Sequence, residues 1–154
     1  MQVEAIGIYA GSLRQAILAL KDGRRDVARS MGLRLADLTP PGTHLVPVPT
    51  TRTRKSVRGF DGAELLADVC AEKADAHVHR FLKQIAGDSQ RGRGREQRLS
   101  AHGRFACLEA DLKGQEFILL DDVMTTGATL EDCAAALRAS NGLVNGAIVV
   151  AISR

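Results

Sequence analysis

Phe117–Ser153, FILLDDVMTTGATLEDCAAALRASNGLVNGAIVVAIS, decides the fold. FILL is a short apolar strand, DDVMTTGA a loop of acids and small residues, and TLEDCAAALRAS a helix stopped by Asn141-Gly142. GAIVVAIS then reads as a second, fully buried strand. Strand, loop, helix and strand in that order form a βαβ unit, so the chain is α/β with a parallel sheet.

The loop carries chemistry. At the carboxyl end of a parallel strand, beside a helix N-terminus, unpaired N–H groups and the helix dipole favour an anion, and small residues let the backbone wrap a phosphate. Thr125, Thr126 and Thr129 add hydroxyl donors, and Gly127 supplies a backbone conformation or a closeness that a Cβ would forbid. Asp121 and Asp122 would repel a phosphate they touched, so they suit neutral hydroxyls, such as a ribose diol, or the vicinity of a magnesium ion. A Walker B strand also runs apolar residues into acids, but it needs a G-x-x-x-x-G-K-[ST] loop, and the chain has no Gly-Lys pair. A dinucleotide-binding G-x-G-x-x-G is missing too, because Gly92-Arg93-Gly94 is followed by Gln97 at the third position.

Working outward, Ser12 with Gln15 forms a capping box ahead of LRQAILALK, and Asp22-Gly23 separates that helix from a second, RRDVARSMGLRLADL, so two helices precede any strong strand. THLVPVP is a short strand running into a loop at about Thr50. Asp61 with Glu64 forms another capping box, opening the helix AELLADVCAEKADA. VHRFLKQI alternates as a strand, and GDSQRGRG (87–94) begins an Arg-rich loop.

The 154 residues suit one domain, and an apolar share of 45% excludes a disordered chain. The net charge of +3 hides a split. Residues 50–60 and 80–104 hold eleven basic residues against Asp88 and Glu96, a net of +9, while the remainder is at −6. Sixteen of the 21 basic residues are Arg, whose fork grips phosphate or carboxylate oxygens bidentately. No apolar run approaches the ~18 residues of a membrane span, and Glu4 interrupts what would be a signal's apolar stretch, so a cytoplasmic protein without membrane insertion is expected. Cys70, Cys107 and Cys133 form no C-x-x-C pair and read as buried thiols. His77 and His79 share a strand face, but with no third ligand evident nearby they read as a solvated strand edge.

FILLDDVMTTGATL resembles the phosphoribosyl pyrophosphate (PRPP) motif of type I phosphoribosyltransferases. Y-x-G-x-L-R…L-K over Tyr9–Lys21, V-P-V-P with the following R-G-F-D-x-A-E-L-L-A over Val46–Ala67, and Ser89-Gln90 before the Arg-rich loop extend the likeness to the ComF family from about Tyr9 onward. That resemblance implies the type I phosphoribosyltransferase fold: a mostly parallel twisted sheet flanked by helices, with a small N-terminal helical hood. It implies one domain, residues 1–154, with a helical part at 1–40 and a PRPP-binding core at 44–154. Asp121 and Asp122 would hold the ribose hydroxyls, and Thr125, Thr126, Gly127, Ala128 and Thr129 would cradle the 5′-phosphate. Thr50, Thr51 and Arg52 would form the pyrophosphate loop. Arg54, Lys55 and Arg58 would assist it, and the segment Asp88–Arg104, with Arg91, Arg93 and Arg95, would close as a lid.

The implied activity is transfer of a phosphoribosyl group from Mg-PRPP to a nitrogen acceptor, with Mg2+ as cofactor, pyrophosphate as product and nucleotide metabolism as setting. A homodimer is expected on the same ground. Two features depart from the family: no four-cysteine zinc ribbon stands ahead of Tyr9, and Asp61-Gly62 stands where Asn-Gln is common. The alternative is a non-catalytic competence protein that binds PRPP or single-stranded DNA within the DNA-uptake machinery. Aromatics are only 3% of residues and scattered, so a base-stacking platform is poorly supplied, while phosphate-backbone contacts stay open.

Overall fold

The computed structural model describes residues 1–50, 55–57, 59–85 and 103–153. Its elements in chain order are β1 (Gln2–Ile8), α1 (Gly11–Lys21), α2 (Asp26–Ala36), β2 (His44–Pro47), α3 (Gly62–Ala74), β3 (His77–Val78), β4 (Leu82–Gln84), β5 (Phe105–Cys107), β6 (Glu116–Met124), α4 (Ala128–Ala139) and β7 (Leu143–Ile152). Five strands form one parallel sheet in the order β1-β7-β6-β2-β3, and β4 and β5 form a separate antiparallel pair.

That order has one place where the chain reverses direction across the sheet. From β2 the path runs through α3 outward to β3, whereas from β6 it runs through α4 the opposite way to β7. Parallel crossovers are nearly always right-handed, so helices leaving in opposite directions must cover opposite faces. The core divides accordingly. On one face α1, α2 and α3 bring Ile17, Leu35, Leu66 and Cys70 against Leu45, Leu120, Ile148 and Val150. On the other, α4 and the β4–β5 pair bring Leu130, Cys133, Leu137, Leu82 and Phe105 against Val46, Leu119 and Val149. The N-terminal helices thus share a layer with α3, and α2 meets α3 so closely at Gly32 that a Cβ there would lie 2.7 Å from the Val69 side chain.

Several local expectations change. The chain opens with a strand: Gln2–Ile8 pairs with β7 from Gln2↔Gly146 to Ile8↔Ile152, so α1 is not the first element. The capping box of Ser12 and Gln15 does not form, because α1 begins at Gly11 after Ala10 with no side-chain cap. β6 is also longer than FILL. Asp121 to Met124 stay in register with Val149 to Ile152, because ten-residue β7 supplies backbone partners well past Leu120. The expected strand over VHRFLKQI is two: β3 pairs with β2, and β4 turns away to meet β5, which the sequence reading left unassigned. Cys70 and Cys133 are core thiols that burial pushes up, whereas Cys107 is half-buried. No described helix is long and apolar enough to cross a membrane.

Candidate functional site

In an open α/β sheet a crevice forms at the carboxyl ends of adjacent strands whose connections leave in opposite directions. Here those strands are β2 and β6, and a cavity of about 430 Å³ opens there. Its wall includes Lys21, Thr50, Asp61, Arg104, Asp121, Asp122 and Thr129. The strand pairing, the α3 cap, the end of α1 and the start of α4 therefore converge on one space.

Asp121 and Asp122 lie within β6, not in the loop after it. Successive strand residues face opposite sides, so Asp121 shares the α4 side with Phe117 and Leu119, and Asp122 shares the α1–α3 side with Leu120. Both still reach the cavity, which wraps over the strand end. The two acids are held differently. Asp121 Oδ1 accepts a hydrogen bond from the backbone N–H of Asp122 at 2.8 Å, and burial, with the neighbouring Asp122 carboxylate second, pushes its carboxyl well above the usual range. Asp122 Oδ2 instead faces Lys21 Nζ at 3.3 Å. Lys21 is the last residue of α1, where a cation also suits the helix dipole.

After β6 the backbone turns at Gly127, the residue before α4, with φ +80°. A Cβ at Gly127 would meet nothing nearer than Met124 Sδ at 3.7 Å, so conformation, not crowding, calls for glycine. Thr126 Oγ1 accepts from the Ala128 N–H at 3.3 Å, and the Ser153 N–H donates to the Met124 carbonyl at 2.8 Å, tying the loop to the end of β7. Thr125, Thr126 and Ala128 are exposed on this turn, while Thr129 reaches the cavity wall. Arg104 donates to Thr129 Oγ1 at 3.1 Å and to Asp132 Oδ2 at 2.7 Å, which sets a guanidinium at the mouth of α4.

On the opposite wall, Asp61 caps α3. Its Oδ1 accepts from the N–H groups of Ala63 at 3.0 Å and Glu64 at 3.3 Å, and its Oδ2 accepts from the Thr50 N–H at 2.8 Å. Only 3% of Asp61 is exposed, and burial pushes its carboxyl up against the opposing pull of the Thr50 and Glu64 N–H groups. Glu64, expected to reach back to its cap, binds Lys55 Nζ at 3.2 Å.

The cavity thus joins Asp121, Asp122, Thr129 and Thr50 among the residues singled out from the sequence. Lys55 is engaged with Glu64 and does not line it. Thr51, Arg52, Arg54, Arg58, Arg91, Arg93 and Arg95 lie outside the described residues. Lys21 and Asp61 received no site role from the sequence. In the sequence Lys21 only closes the L-K pattern that ends at position 21 and Asp61 only caps a helix and departs from the family's Asn; what brings them to the cavity wall is contact across the sheet end.

No protein-family profile matches the chain. It is 36% identical over 93 residues to competence protein ComFC of Bacillus subtilis strain 168, covering 60% of this chain and 37% of that protein. It is 29% identical over 119 residues to competence protein F of Haemophilus influenzae, covering 74% of this chain and 49% of that protein. The chain therefore spans between about a third and a half of the length of these curated relatives. The ComF resemblance drawn from the sequence is borne out by both names. Among solved structures it is similar to adenine phosphoribosyltransferase of Leishmania tarentolae, with 13% identity, a TM-score of 0.47 and coverage of 95% of this chain and 89% of that one. The corresponding enzyme of Leishmania donovani has 12% identity, a TM-score of 0.44 and coverage of 84% and 64%.

Proposed function

We propose that this chain is a ComF-type phosphoribosyltransferase-like protein that binds Mg-PRPP in the cavity between β2 and β6 and transfers its phosphoribosyl group to a nitrogen acceptor, releasing pyrophosphate. The observation that carries the reading is the placing of Asp121 and Asp122 on one cavity wall immediately before a Gly127 turn and the start of α4. A ribose 5-phosphate is anionic at one end and carries neutral hydroxyls at the other, and this wall offers N–H groups and Thr hydroxyls beside carboxylate acceptors in that same sequence.

Each side chain has a task in such a transfer. The N-terminus of α4 with Thr125, Thr126 and Thr129 takes the 5′-phosphate, and Arg104 adds positive charge beside Thr129. Asp122, balanced by Lys21, and Asp121 accept from the ribose diol and fix the ring. Bond breaking at the anomeric carbon builds positive charge on the sugar while diphosphate departs, so the walls contribute chiefly by holding the ring and by electrostatics. Magnesium fits the donor set, because carboxylates and hydroxyls are the hard oxygen ligands it takes. The diphosphate oxygens, with Asp121 and Asp122, would hold it, and when bound it offsets the charge of the leaving group.

The test is pyrophosphate release from Mg-PRPP offered a panel of bases, amines and ammonia, alongside calorimetric titration of PRPP. Replacing both acids, Asp121→Asn with Asp122→Asn, is expected to lower PRPP affinity by about a hundredfold, the scale of losing charge-assisted hydrogen bonds to two hydroxyls. Unchanged affinity in that double variant removes the assignment of the motif; tight binding with no release for any acceptor removes the transferase.

A second reading is favoured by the names of both curated relatives, which are competence proteins, and by the +9 charge of the two basic segments. In it the chain binds PRPP or single-stranded DNA without catalysis. A gel shift with single-stranded DNA that disappears on replacing Arg91, Arg93 and Arg95, while PRPP binding survives, supports that reading.

A further inference from the structure

We infer that Asp61 is a positioning residue for the leaving-group wall of the cavity, dividing its two carboxylate oxygens between the α3 N-terminus and the Thr50 backbone where the chain leaves β2. The inference rests on the PRPP reading, in which Thr50, on the cavity wall at the carboxyl end of β2, faces the diphosphate.

The geometry sets this carboxylate apart from an ordinary cap. A helix cap needs one oxygen, and Oδ1 alone serves the Ala63 and Glu64 N–H groups. Oδ2 is left over and takes the Thr50 N–H at 2.8 Å, across eleven positions of sequence. Thr50 is on the cavity wall and follows Pro49, which has no N–H, and Val48, whose N–H is used by the Leu120 carbonyl. The tie at Thr50 is therefore the point at which backbone order passes from the sheet to the α3 cap. It is made by a buried side chain that also lines the cavity.

The two oxygens can be separated by substitution. In Asp61→Asn a single amide oxygen replaces two, and the cap, with two N–H groups against one at Thr50, holds it, so the NH2 meets the Thr50 N–H, donor against donor. In Asp61→Ser the hydroxyl still caps α3 and is too short to reach Thr50 as well. Both variants keep the helix and cut the tie.

Calorimetry of inorganic pyrophosphate and of ribose 5-phosphate, each with Mg2+, reads the two walls separately. Both variants are expected to melt within a few degrees of the parent, to lose about tenfold or more in pyrophosphate affinity, the scale of one hydrogen bond to a charged group, and to bind ribose 5-phosphate as the parent does. If pyrophosphate affinity is unchanged or rises in Asp61→Asn, the carboxylate acts only as a negative charge on the wall and the positioning role is overturned. An equal loss for both ligands also overturns it, since a general loosening of the domain would act on both. A parent that binds neither ligand removes the PRPP reading itself, and this inference with it.

Discussion

The two ends of the parallel sheet both gather titratable side chains, and only at the carboxyl end do acids and cations share the wall of the cavity of about 430 Å³. At the carboxyl end, Asp121, Asp122 and Asp61 face a cavity with Lys21 and Arg104. At the amino end, His44 of β2 meets His77 and His79, with ring centroids 5.1 and 5.0 Å away, and Phe81 and Phe117 close the stack. The histidine end is satisfied. The Gln115 amide nitrogen lies 3.0 Å from His44 Nε2, and His44 Nδ1 lies 2.8 Å from His79 Nε2, so both ring nitrogens of His44 have a hydrogen-bond partner. The acid end is not. Asp121 sits beside a second carboxylate with burial against its charge. Clustering alone does not single out a candidate site; a carboxyl that burial and a like charge both oppose, on the wall of a cavity, does.

The largest expected effect that tests this contrast is an opposition between stability and binding at Asp121. Asp121→Asn keeps an Oδ1 acceptor for the Asp122 N–H and removes a group whose charge burial opposes, so at alkaline pH without ligand or metal it should stabilise the fold by on the order of 1 kcal/mol while weakening PRPP binding. Urea midpoints and calorimetry on the same sample check both halves. A variant that is less stable and binds normally would make Asp121 a structural acid and erase the distinction between the two ends.

A smaller effect is a pH response of opposite sign at each end. Asp121 has a raised carboxyl, so the folded chain holds its proton more tightly than the unfolded one; the stability this gives is present at acid pH and is lost as pH rises through the folded value. His79 is pushed below the ordinary imidazole value, by burial first and by His44 and His77 after it. The unfolded chain then takes the proton first, and stability is lost as pH falls below about 6.5, the ordinary imidazole value. Urea midpoints followed across pH should therefore lose their fall below about 6.5 in His79→Gln, and in Asp121→Asn their fall as pH rises above the ordinary carboxylate value. If both variants trace the parent's curve, neither end titrates on unfolding.

This contrast also marks what could be read in advance. Phe117–Ser153 carries its fold in local pattern, because apolar runs, a Gly127 turn and an Asn141-Gly142 stop are each decided by neighbours in sequence. The acids and threonines of the motif were legible for that reason. The histidine cluster was not: His77 and His79 suggest a solvated edge until the register His44↔His77 brings a third ring from β2. β1 was hidden as well, since a seven-residue edge strand pairs only with β7 and its alternation is weak. Residues 51–54 and 86–102, with most of the Arg-rich stretches, lie outside the described residues, yet the described members of the basic segments already show a pattern. Arg80 pairs with Asp68 at 2.6 Å, Lys55 with Glu64, and Arg104 with Asp132, so part of the +9 is answered by acids on α3 and α4.

The smallest effect concerns Lys21. Its ion pair with Asp122 is partly solvated, with 34% of the Lys21 side chain exposed, and such pairs add about 0–1 kcal/mol to stability. Lys21→Met should therefore melt within a few degrees of the parent. The same pair matters more once a ligand excludes water, because Asp122 would then face the sugar without its counter-ion and the approaching phosphates would lose a cation. A loss of about three- to tenfold in PRPP affinity is expected, falling as salt rises, since exposed charge pairs are screened within about 10 Å at 0.1 M salt. Lys21→Arg should recover most of it, because the charge is kept even though the fork replaces a point donor. A Lys21→Met chain that binds PRPP like the parent at low salt would place Lys21 with the satisfied side chains, and leave Arg104 as the remaining cation on the cavity wall among the described residues.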